Sequence, residues 1–538
     1  MKGIISLLAK KQESVGSAAF VLATMVLTSR LLGLLRDRML AARFAPEELG
    51  VYFAAFRIPN LIFELLVMGA LTSAFIPVFT KYVTQGKEGE AQEMTLTILH
   101  VALVFLFFLS VPLLVFAPTI SGWLAPGFTT AQITQMATFT RFMIIFQVAP
   151  LLVGNLFTGI LQSYNIFLIP AAAPVIYNLG IIAGIFFLSP VAGLMAPVIG
   201  VGIGAFLFLL IQLPLLALLG FGYRWSWNLS HRGVKEVGKL MAPRTFGLAI
   251  SQIDTTVDLM LASLLGARMV TIFNFAQHLQ QVPVGLFGAT VAQAALPMLS
   301  ISSAKENLSE FKKTIIRSLH QILFFVLPTS VLFIVLRIPT VRLVFGASRF
   351  DWQATVATGM TLSAFAVSLF AQAMVQVLAR AFYALYDSKT PVGVGVISIL
   401  TNTTLSVMFI LFLHWPVWAL GVSASIASIF NALVLLYLLD RRVHSFAKYD
   451  LWVPPLKMTL AAVLMGLALY IPLKLLDQLV FDTTRTFGLI LLTGVTGSIG
   501  LATYLFLSWV LGVSEVRSFF NLLARVRRRI IFEPAAEV

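Results

Sequence analysis

Long apolar stretches make up most of this chain and restrict its fold more than any other feature of the sequence. We find fourteen of them, each near the ~20 residues that carry a helix across roughly 30 Å of hydrocarbon. Hydrocarbon offers no hydrogen bonds, so a spanning backbone must satisfy its own polar groups, as an α-helix does. We therefore predict an all-α polytopic membrane protein with 14 transmembrane helices. The predicted spans are residues 15–42, 51–79, 95–116, 137–162, 167–188, 196–219, 240–265, 270–299, 315–336, 355–378, 391–413, 417–438, 456–475 and 486–511.

Composition agrees with this fold class and excludes several kinds of chemistry. Of the 538 residues, 59% are hydrophobic and 11% are charged, a balance unlike that of a soluble domain. The chain has no cysteine, which excludes disulfides, thiolate metal sites and iron–sulfur clusters. The sequence contains no Walker loop, zinc motif or nucleophile constellation, so we expect neither an enzyme nor a cofactor.

The net charge of +15 follows from membrane topology rather than from a nucleic-acid-binding domain. Most lysines and arginines lie in the termini and in the even-numbered connections between spans, which the positive-inside rule places in the cytoplasm. We therefore expect both termini to be cytoplasmic. This set includes Arg224, Arg232, Lys235, Lys239, Arg244, Lys305, Lys312, Lys313, Arg441, Arg442 and Arg527 to Arg529. The odd-numbered connections carry fewer basic residues, among them Arg43, Arg268, Arg342 and Arg349.

Landmarks in the first half of the chain recur in the second half, which predicts a duplication of the kind common in transporters. Pro77 in span two has its counterpart 220 residues later at Pro297. The turn ending at Asn165 likewise resembles the turn ending at Asp387, 222 residues later. We predict two pseudo-symmetric six-helix lobes, residues 1–220 and 221–445, followed by two extra spans and a basic tail at residues 446–538.

Polar residues inside the spans are grouped on helix faces. Arg30 lies in the first span, where a guanidinium near the bilayer centre costs about 2.5–3.5 kcal/mol on insertion scales. Residues three and seven positions apart share a helix face. Since hydrocarbon cannot solvate polar groups, each such stripe of polar residues should face another stripe or a watery cavity, as in a transporter. The stripes are Arg30, Gly33 and Asp37, then Arg57, Asn60 and Glu64, then Ser251, Asp254 and Asp258, with Gln277, His278 and Gln281 on span eight.

Several of these residues also have simpler interpretations. Arg36 and Asp37 lie toward one end of their span, where they could reach the interface or pair locally. Arg57 and Glu64 could form structural pairs with other helices, and a packing or interfacial role is the simpler interpretation of Arg141.

The acidic pair on span seven has two interpretations as well. Asp254 and Asp258 could bind a coupling cation, sodium or a proton, or could act as structural partners for the arginines of spans one and two. His278 could relay a proton, but a single histidine near a span end is more often a hydrogen-bonded structural residue.

Motifs across residues 15–445 resemble those of one family. They are Ser-Arg-Leu-Leu-Gly-Leu-Leu-Arg-Asp at residues 29–37, Phe-Arg-Ile-Pro-Asn-Leu at 56–61, Gly69-Ala70, Ala-Phe-Ile-Pro at 74–77, Leu-Ala-Pro-Gly-Phe at 124–128, Pro-Val-Gly-Leu-Phe-Gly at 283–288, and Arg-Ala-Phe-Tyr-Ala-Leu at 380–385 with Asp387 and Lys-Thr-Pro at 389–391. Together they resemble the MurJ (MviN) lipid II flippases of the multidrug/oligosaccharidyl-lipid/polysaccharide exporter superfamily.

This resemblance implies a function and a set of site residues. Members enclose a cationic central cavity that receives the head group of an undecaprenyl-diphosphate-linked peptidoglycan precursor and flips it by alternating access. Arg30 and Arg36 match first-span arginines regarded as essential there, with Ser29 beside them and Arg57 as a further candidate for substrate binding. It further implies a multi-pass protein of the bacterial inner membrane, membrane lipids and the cell-wall synthesis machinery as partners, and energy from the membrane potential or a sodium or proton gradient.

The chain also departs from proteobacterial members of that family. Glu64 and Met68 stand in a stretch where those proteins carry arginines followed by an acidic residue, and Gln277, His278 and Gln281 stand in place of a charged group on span eight. We therefore expect a less charged cavity. Three alternatives stay open: a flippase for another polyprenyl-linked oligosaccharide, a drug or cation antiporter that depends on the acidic residues of spans two and seven, and a non-transporting scaffold.

Overall fold

The computed structural model describes residues 15–66, 74–346, 348–480, 486–517 and 519–520. Every regular element in these ranges is a helix, so the predicted all-α class is confirmed. Three landmarks of the sequence, namely Met68, Gly69-Ala70 and the basic tail Arg527 to Arg529, lie outside the described residues.

Within the described residues up to 218, the structure has twelve α-helices, with π-helical turns between some of them. Local signals begin several of them: Pro46 and Pro118 lie in first turns, where a missing N–H has no cost, and Thr129 caps its helix through a reciprocal pair of hydrogen bonds with Gln132. The helices are α1 (Val15–Arg43), α2 (Pro46–Ala55), α3 (Arg57–Phe63), α4 (Ile76–Thr84), α5 (Glu88–Val115), α6 (Ala117–Leu124), α7 (Thr130–Met143), α8 (Ala149–Ser163), α9 (Leu168–Ala183), α10 (Ser189–Ala192), α11 (Met195–Leu210) and α12 (Leu213–Leu218), with π-turns at Ile144–Val148 and Gly184–Leu188.

From residue 232 to residue 510, the described residues form eleven α-helices and two further π-turns. Asn307 begins one of the longest by accepting a hydrogen bond from the N–H of Glu310 at 3.1 Å. The helices are α13 (Arg232–Leu264), α14 (Ala267–Pro283), α15 (Thr290–Ala304), α16 (Leu308–Val335), α17 (Arg337–Phe345), α18 (Trp352–Ala366), α19 (Leu369–Ala384), α20 (Lys389–Val407), α21 (Trp418–Arg442), α22 (Lys448–Leu479) and α23 (Thr486–Val510), with π-turns at Val284–Ala289 and Met408–Phe412.

Eleven stretches of described helix are long and apolar enough to cross a membrane, or twelve when α18 and α19, bent by 43° at their junction, are taken as one span. Each overlaps a predicted span. Two further helices, α1 with 29 residues and α13 with 33, are also long enough to cross. They carry the polar stripes of spans one and seven. The exact count of 14 remains a prediction.

Helix boundaries recur along the chain at the spacing that the sequence landmarks show. The helices α5 and α16 each have 28 residues, begin 220 positions apart, and are followed by a short helix. Asn165 and Tyr386, 221 positions apart, both adopt the left-handed conformation with φ of 62° and 58° in the turns that follow α8 and α19. The predicted repeat therefore extends to element lengths and turn geometry.

The first compact unit comprises Met1–Asn274 and Val344–Ala354. Its main core contains Phe75, Phe79 and Leu152, contributed by the segment around α4 and by α8. The helices α9 and α11 approach closely where two glycines face each other: a Cβ on Gly180 would lie 2.4 Å from the Cα of Gly204. Small residues allow such close backbone contact in membrane proteins.

The second compact unit comprises Phe275–Leu343 and Thr355–Val538. Helices α15, α16, α19 and α21 supply its main core. A second cluster joins α16 to α22 and α23 through Phe324, Met458 and Tyr504, whose hydroxyl donates to the Phe324 carbonyl at 3.0 Å. The sequence-based division into residues 1–220, 221–445 and 446–538 stays a prediction.

Candidate functional site

The guanidinium of Arg36 lies in a polar cluster between α1 and α9. Its Nε and Nη2 atoms donate to Oδ1 of Asp37 at 3.0 and 2.8 Å, and Nη1 donates to Oδ1 of Asn178 at 3.2 Å. The carboxylate of Asp37 is buried, whereas the side chain of Arg36 keeps 20% of its surface exposed. A charge-assisted pair of this kind reduces the cost of holding a cation among apolar helices. Local pairing of Arg36 with Asp37, one of the two interpretations from sequence, is what the structure shows.

Asn178 connects this pair to Ser29. Its amide nitrogen donates to the hydroxyl of Ser29 at 3.1 Å and to the Pro174 carbonyl of its own helix at 3.1 Å. Because Ser29 and Arg36 are seven residues apart, they share one face of α1. The Asn178 side chain therefore forms hydrogen bonds with both Ser29 and Arg36 on that face. Sequence reasoning missed Asn178, although an asparagine within an apolar span is a detectable signal.

Arg30 follows Ser29 directly on α1. Its side chain is exposed in the structure, unlike that of Asp37, which is buried seven residues further along the same face. Between residues 29 and 37, the first helix therefore presents an exposed arginine and an arginine that pairs with Asp37 and Asn178.

Arg57 makes a second polar connection, from α3 to α13. Its side chain is 8% exposed. Nη2 donates to the carbonyl of Gln252 at 2.5 Å, and Nε donates to the hydroxyl of Thr256 at 2.9 Å. Thr256 in turn donates to the same Gln252 carbonyl at 2.7 Å. In this conformation Arg57 joins two helices of the first unit, and its predicted role in substrate binding stays a prediction.

Other predicted site residues lie on α3, in the segment after α3 and on α13. Asp258 is 6% exposed, Asp254 and Glu64 are half-buried, and Asn60 is exposed. All belong to the first compact unit, as do the arginines of α1. The structure thus gathers most of the predicted polar residues in one unit.

The polar residues of span eight belong to the second unit. Gln277 and His278 are half-buried and Gln281 is exposed. The neighbouring Gln280, which sequence reasoning did not select, is buried and donates to Oε1 of Gln372 at 2.6 Å. The side-chain amide nitrogen of Gln372 in turn donates to the hydroxyl of Ser368 at 2.9 Å. This buried series of hydrogen bonds ties α14 to α19.

Within the residues that the structure describes, no three side chains of histidine, aspartate or glutamate come close enough to hold a metal ion together. The guanidinium of Arg36, in the cluster on α1 and α9, is a group that can recognise an anion. Arginine suits this role because its planar fork can donate two parallel hydrogen bonds to a phosphate.

The helical architecture is shared with solved transporters. A lipid II flippase MurJ in an inward closed conformation superposes with a TM-score of 0.77 at 24% identity, covering 91% of this chain and 98% of that one. An inward-facing multidrug resistance transporter of the MATE family superposes with a TM-score of 0.65 at 13% identity, covering 79% and 98%. Both are polytopic membrane transporters, and this chain shares their helical fold.

Sequence comparison then identifies the family. A sequence model described as Lipid II flippase MurJ matches residues 43–487. The chain therefore belongs to the lipid II flippase MurJ family, and the resemblance predicted from its motifs is confirmed. A probable lipid II flippase MurJ of Vibrio cholerae is 29% identical, covering 92% of this chain and 96% of the relative. Its counterpart in Bdellovibrio bacteriovorus is 28% identical, covering 97% and 98%.

Family membership and the apolar helices together establish where the protein resides. It is a multi-pass protein of the bacterial inner membrane, as predicted.

Proposed function

We propose that this chain flips lipid II across the cytoplasmic membrane by alternating access, using a cationic central cavity and no covalent chemistry. The observation that carries the proposal is the cluster of Ser29, Arg36, Asp37 and Asn178, which orients a guanidinium inside the first unit of a MurJ-family protein. The lipid-linked substrate comes from what the relatives' names describe.

The arginine pair of α1 would bind the diphosphate of the substrate in two steps. Arg30, which is exposed, first attracts the anionic head group. Arg36 then donates hydrogen bonds to the diphosphate, in exchange for part of its contact with Asp37. Because Asn178 holds Arg36 in place before the substrate arrives, little side-chain entropy is lost on binding.

The membrane topology follows from the same helices. At 1.5 Å per residue, α1 and α13 extend over about 40 to 50 Å, enough to cross the bilayer. Counting them with the apolar helices and the bent pair supports the proposed 14 spans. We propose that these spans form two lobes of six with two C-terminal helices, and that both termini lie in the cytoplasm.

Alternating access needs contacts that break on one side of the membrane. Arg268, at the start of α14, pairs with Glu47 in the first turn of α2 at 2.9 Å and also with Asp351, just before α18. These residues lie in odd-numbered connections or next to them, which the charge distribution places outside the cytoplasm. We propose that this ion-pair cluster holds the outer side closed and opens when the head group is released.

The energy source is proposed to be the membrane potential or a gradient of sodium or protons, with Asp254 and Asp258 as the candidate coupling residues and no cofactor required. Membrane lipids and the cell-wall synthesis machinery are the proposed partners. The competing functions are transport of another polyprenyl-linked oligosaccharide, and export of drugs or cations.

Complementation tests the proposal directly. A bacterium depleted of its own lipid II flippase receives this chain, its Arg30→Ala and Arg36→Ala variants, or the control Arg43→Ala, which removes an exposed arginine from the end of the same helix. We expect growth with the parent and the control but not with the two variants, at equal membrane levels. If the parent chain does not restore growth although its membrane level is normal, the transported substrate is not lipid II.

A further inference from the structure

A groove of about 350 Å³ opens between α15 and α16, and none of the candidate-site residues lines it. Its wall on α16 is polar, with Thr314, Arg317, Ser318 and Gln321. Its wall on α15 is mainly apolar, with Ala294 and other small or flexible side chains. A groove with one cationic polar wall and one apolar wall fits an amphipathic anion.

The groove lies on a face of α16 that differs from the two faces packed in the hydrophobic cores of the unit. At 100° per residue, the side chains of α16 that enter the main core, such as Ile315 and Ile322, point one way, and those that meet α22 and α23, such as Phe324 and Leu327, point another. The groove residues form a third face, on which Arg317 and Gln321 are exposed.

Two cations follow this third face. Lys313 and Arg317 are one turn apart, and both side chains are exposed. Within the described part of the chain, neither forms an ion pair with a carboxylate. Arg317 is the third residue of the predicted span 315–336, near the span end that follows a cytoplasmic connection. An arginine at a span end can reach the phosphates of lipid head groups.

We propose that this groove is a binding site for an anionic phospholipid of the surrounding bilayer, with the phosphate on Arg317 and the first part of an acyl chain along Ala294 and Met298. Its volume is near the lower end of cavities that hold small ligands, which run from about 300 to 1,000 Å³. That space suits one phosphate with its glycerol linkage. It is too small for a diphosphate that carries a sugar-peptide head group.

The test measures lipid retention by the full-length protein and does not depend on transport. Purified protein is mixed with micelles containing equal amounts of phosphatidylglycerol and phosphatidylcholine, and bound lipids are counted by native mass spectrometry. For the parent we expect a preference for phosphatidylglycerol. Arg317→Gln should weaken that preference about fivefold, the effect of roughly 1 kcal/mol per basic residue at a lipid surface.

Two further variants separate this site from bulk electrostatics. Ala294→Leu fills the apolar wall without changing any charge and should weaken retention of phosphatidylglycerol as well. Arg442→Gln removes an exposed charge elsewhere in the same unit and should leave retention unchanged. Equal retention by the parent and Arg317→Gln, or an equal loss with Arg442→Gln, would overturn the proposal. Complete displacement by inorganic phosphate would assign the groove to a free anion and would also overturn it.

Discussion

The side-chain amide of Asn178 donates a hydrogen bond to the hydroxyl of Ser29 at 3.1 Å, and its oxygen accepts one from Arg36 at 3.2 Å. One uncharged residue on α9 thus fixes two polar groups on α1. In the MurJ family, to which the chain belongs, this arrangement makes Asn178 a positioning residue for a first-span arginine.

Asn178→Leu should therefore weaken both the protein and its transport. We expect a loss of about 1–2 kcal/mol in stability, the range for interhelical hydrogen bonds in membranes, together with reduced flipping of lipid II. Thermal unfolding of the purified protein and a vesicle transport assay measure the two effects. Asn155→Leu is the matched control, because the Asn155 amide donates to the Leu151 carbonyl of its own helix. If Asn178→Leu and Asn155→Leu changed stability and transport equally, Asn178 would have no positioning role.

The connection from Arg57 to α13 predicts energetic coupling between two residues far apart in sequence. In a double-mutant cycle of Arg57→Met and Thr256→Val, we expect a coupling energy of about 0.6–1.7 kcal/mol, as measured for side-chain hydrogen bonds between membrane helices. Unfolding curves of the parent, both single variants and the double variant supply the four values. Additive effects would show that this hydrogen bond contributes nothing to stability.

The Arg268 cluster predicts a change in accessibility. Thr271, three residues further along α14, is fully buried and donates to the Pro46 carbonyl at 2.6 Å. Since the chain has no cysteine of its own, a Thr271→Cys reporter can be labelled without background. We expect Arg268→Ala to speed its labelling by an impermeant maleimide about fivefold, as loss of ~1 kcal/mol of ion pairing would. Arg349→Ala, which removes an exposed neighbouring charge, should leave the labelling rate unchanged.

A separate prediction concerns pH and the turn before α20. The backbone N–H and hydroxyl of Thr390 donate to the Asp387 carboxylate at 3.0 and 2.7 Å, and these bonds lower the pKa of Asp387. A carboxylate whose pKa is lowered by folding stabilises the fold above its ordinary pKa, near 3.9, and that stabilisation is lost as the pH falls through the folded value.

Asp387→Ala should accordingly cost about 0.5–2 kcal/mol at pH 7, in the range for a helix-capping residue, and much less near pH 3. Melting temperatures of the parent and variant at the two pH values test this. Asp477→Ala, which removes an exposed aspartate near the end of α22, is the control. A difference for Asp387→Ala that does not shrink at low pH would contradict the capping role of the carboxylate.

Sequence reasoning reached the helical class because apolar length is a local property. Eleven predicted spans overlap apolar helices, and another overlaps the bent pair. It also selected Arg36 and Asp37, since both residues are polar within one apolar stretch. The other two long helices, α1 and α13, carry the polar stripes that the sequence predicts for spans one and seven.

The partners of the arginines could not be predicted in the same way. Asn178 is 142 residues from Arg36, and the Gln252 carbonyl is 195 residues from Arg57. Nothing in helical spacing relates positions on different helices. Every residue has a backbone carbonyl, so residue type does not show which carbonyl accepts a hydrogen bond from a guanidinium. The contact of Arg57 with α13 is therefore visible only in the folded chain.

The long separation between Arg36 and Asn178 also has a consequence for synthesis of the protein at the ribosome. At about 5–20 residues per second, the amide that receives Nη1 of Arg36 emerges roughly 7 to 28 s after the arginine itself. During that interval Asp37, its immediate neighbour, already offers a counter-ion, but the bridge to Ser29 does not yet exist. The first helix therefore enters the membrane before Asn178 exists, and its hydrogen bonds to that residue can form only when the fifth predicted span arrives beside it.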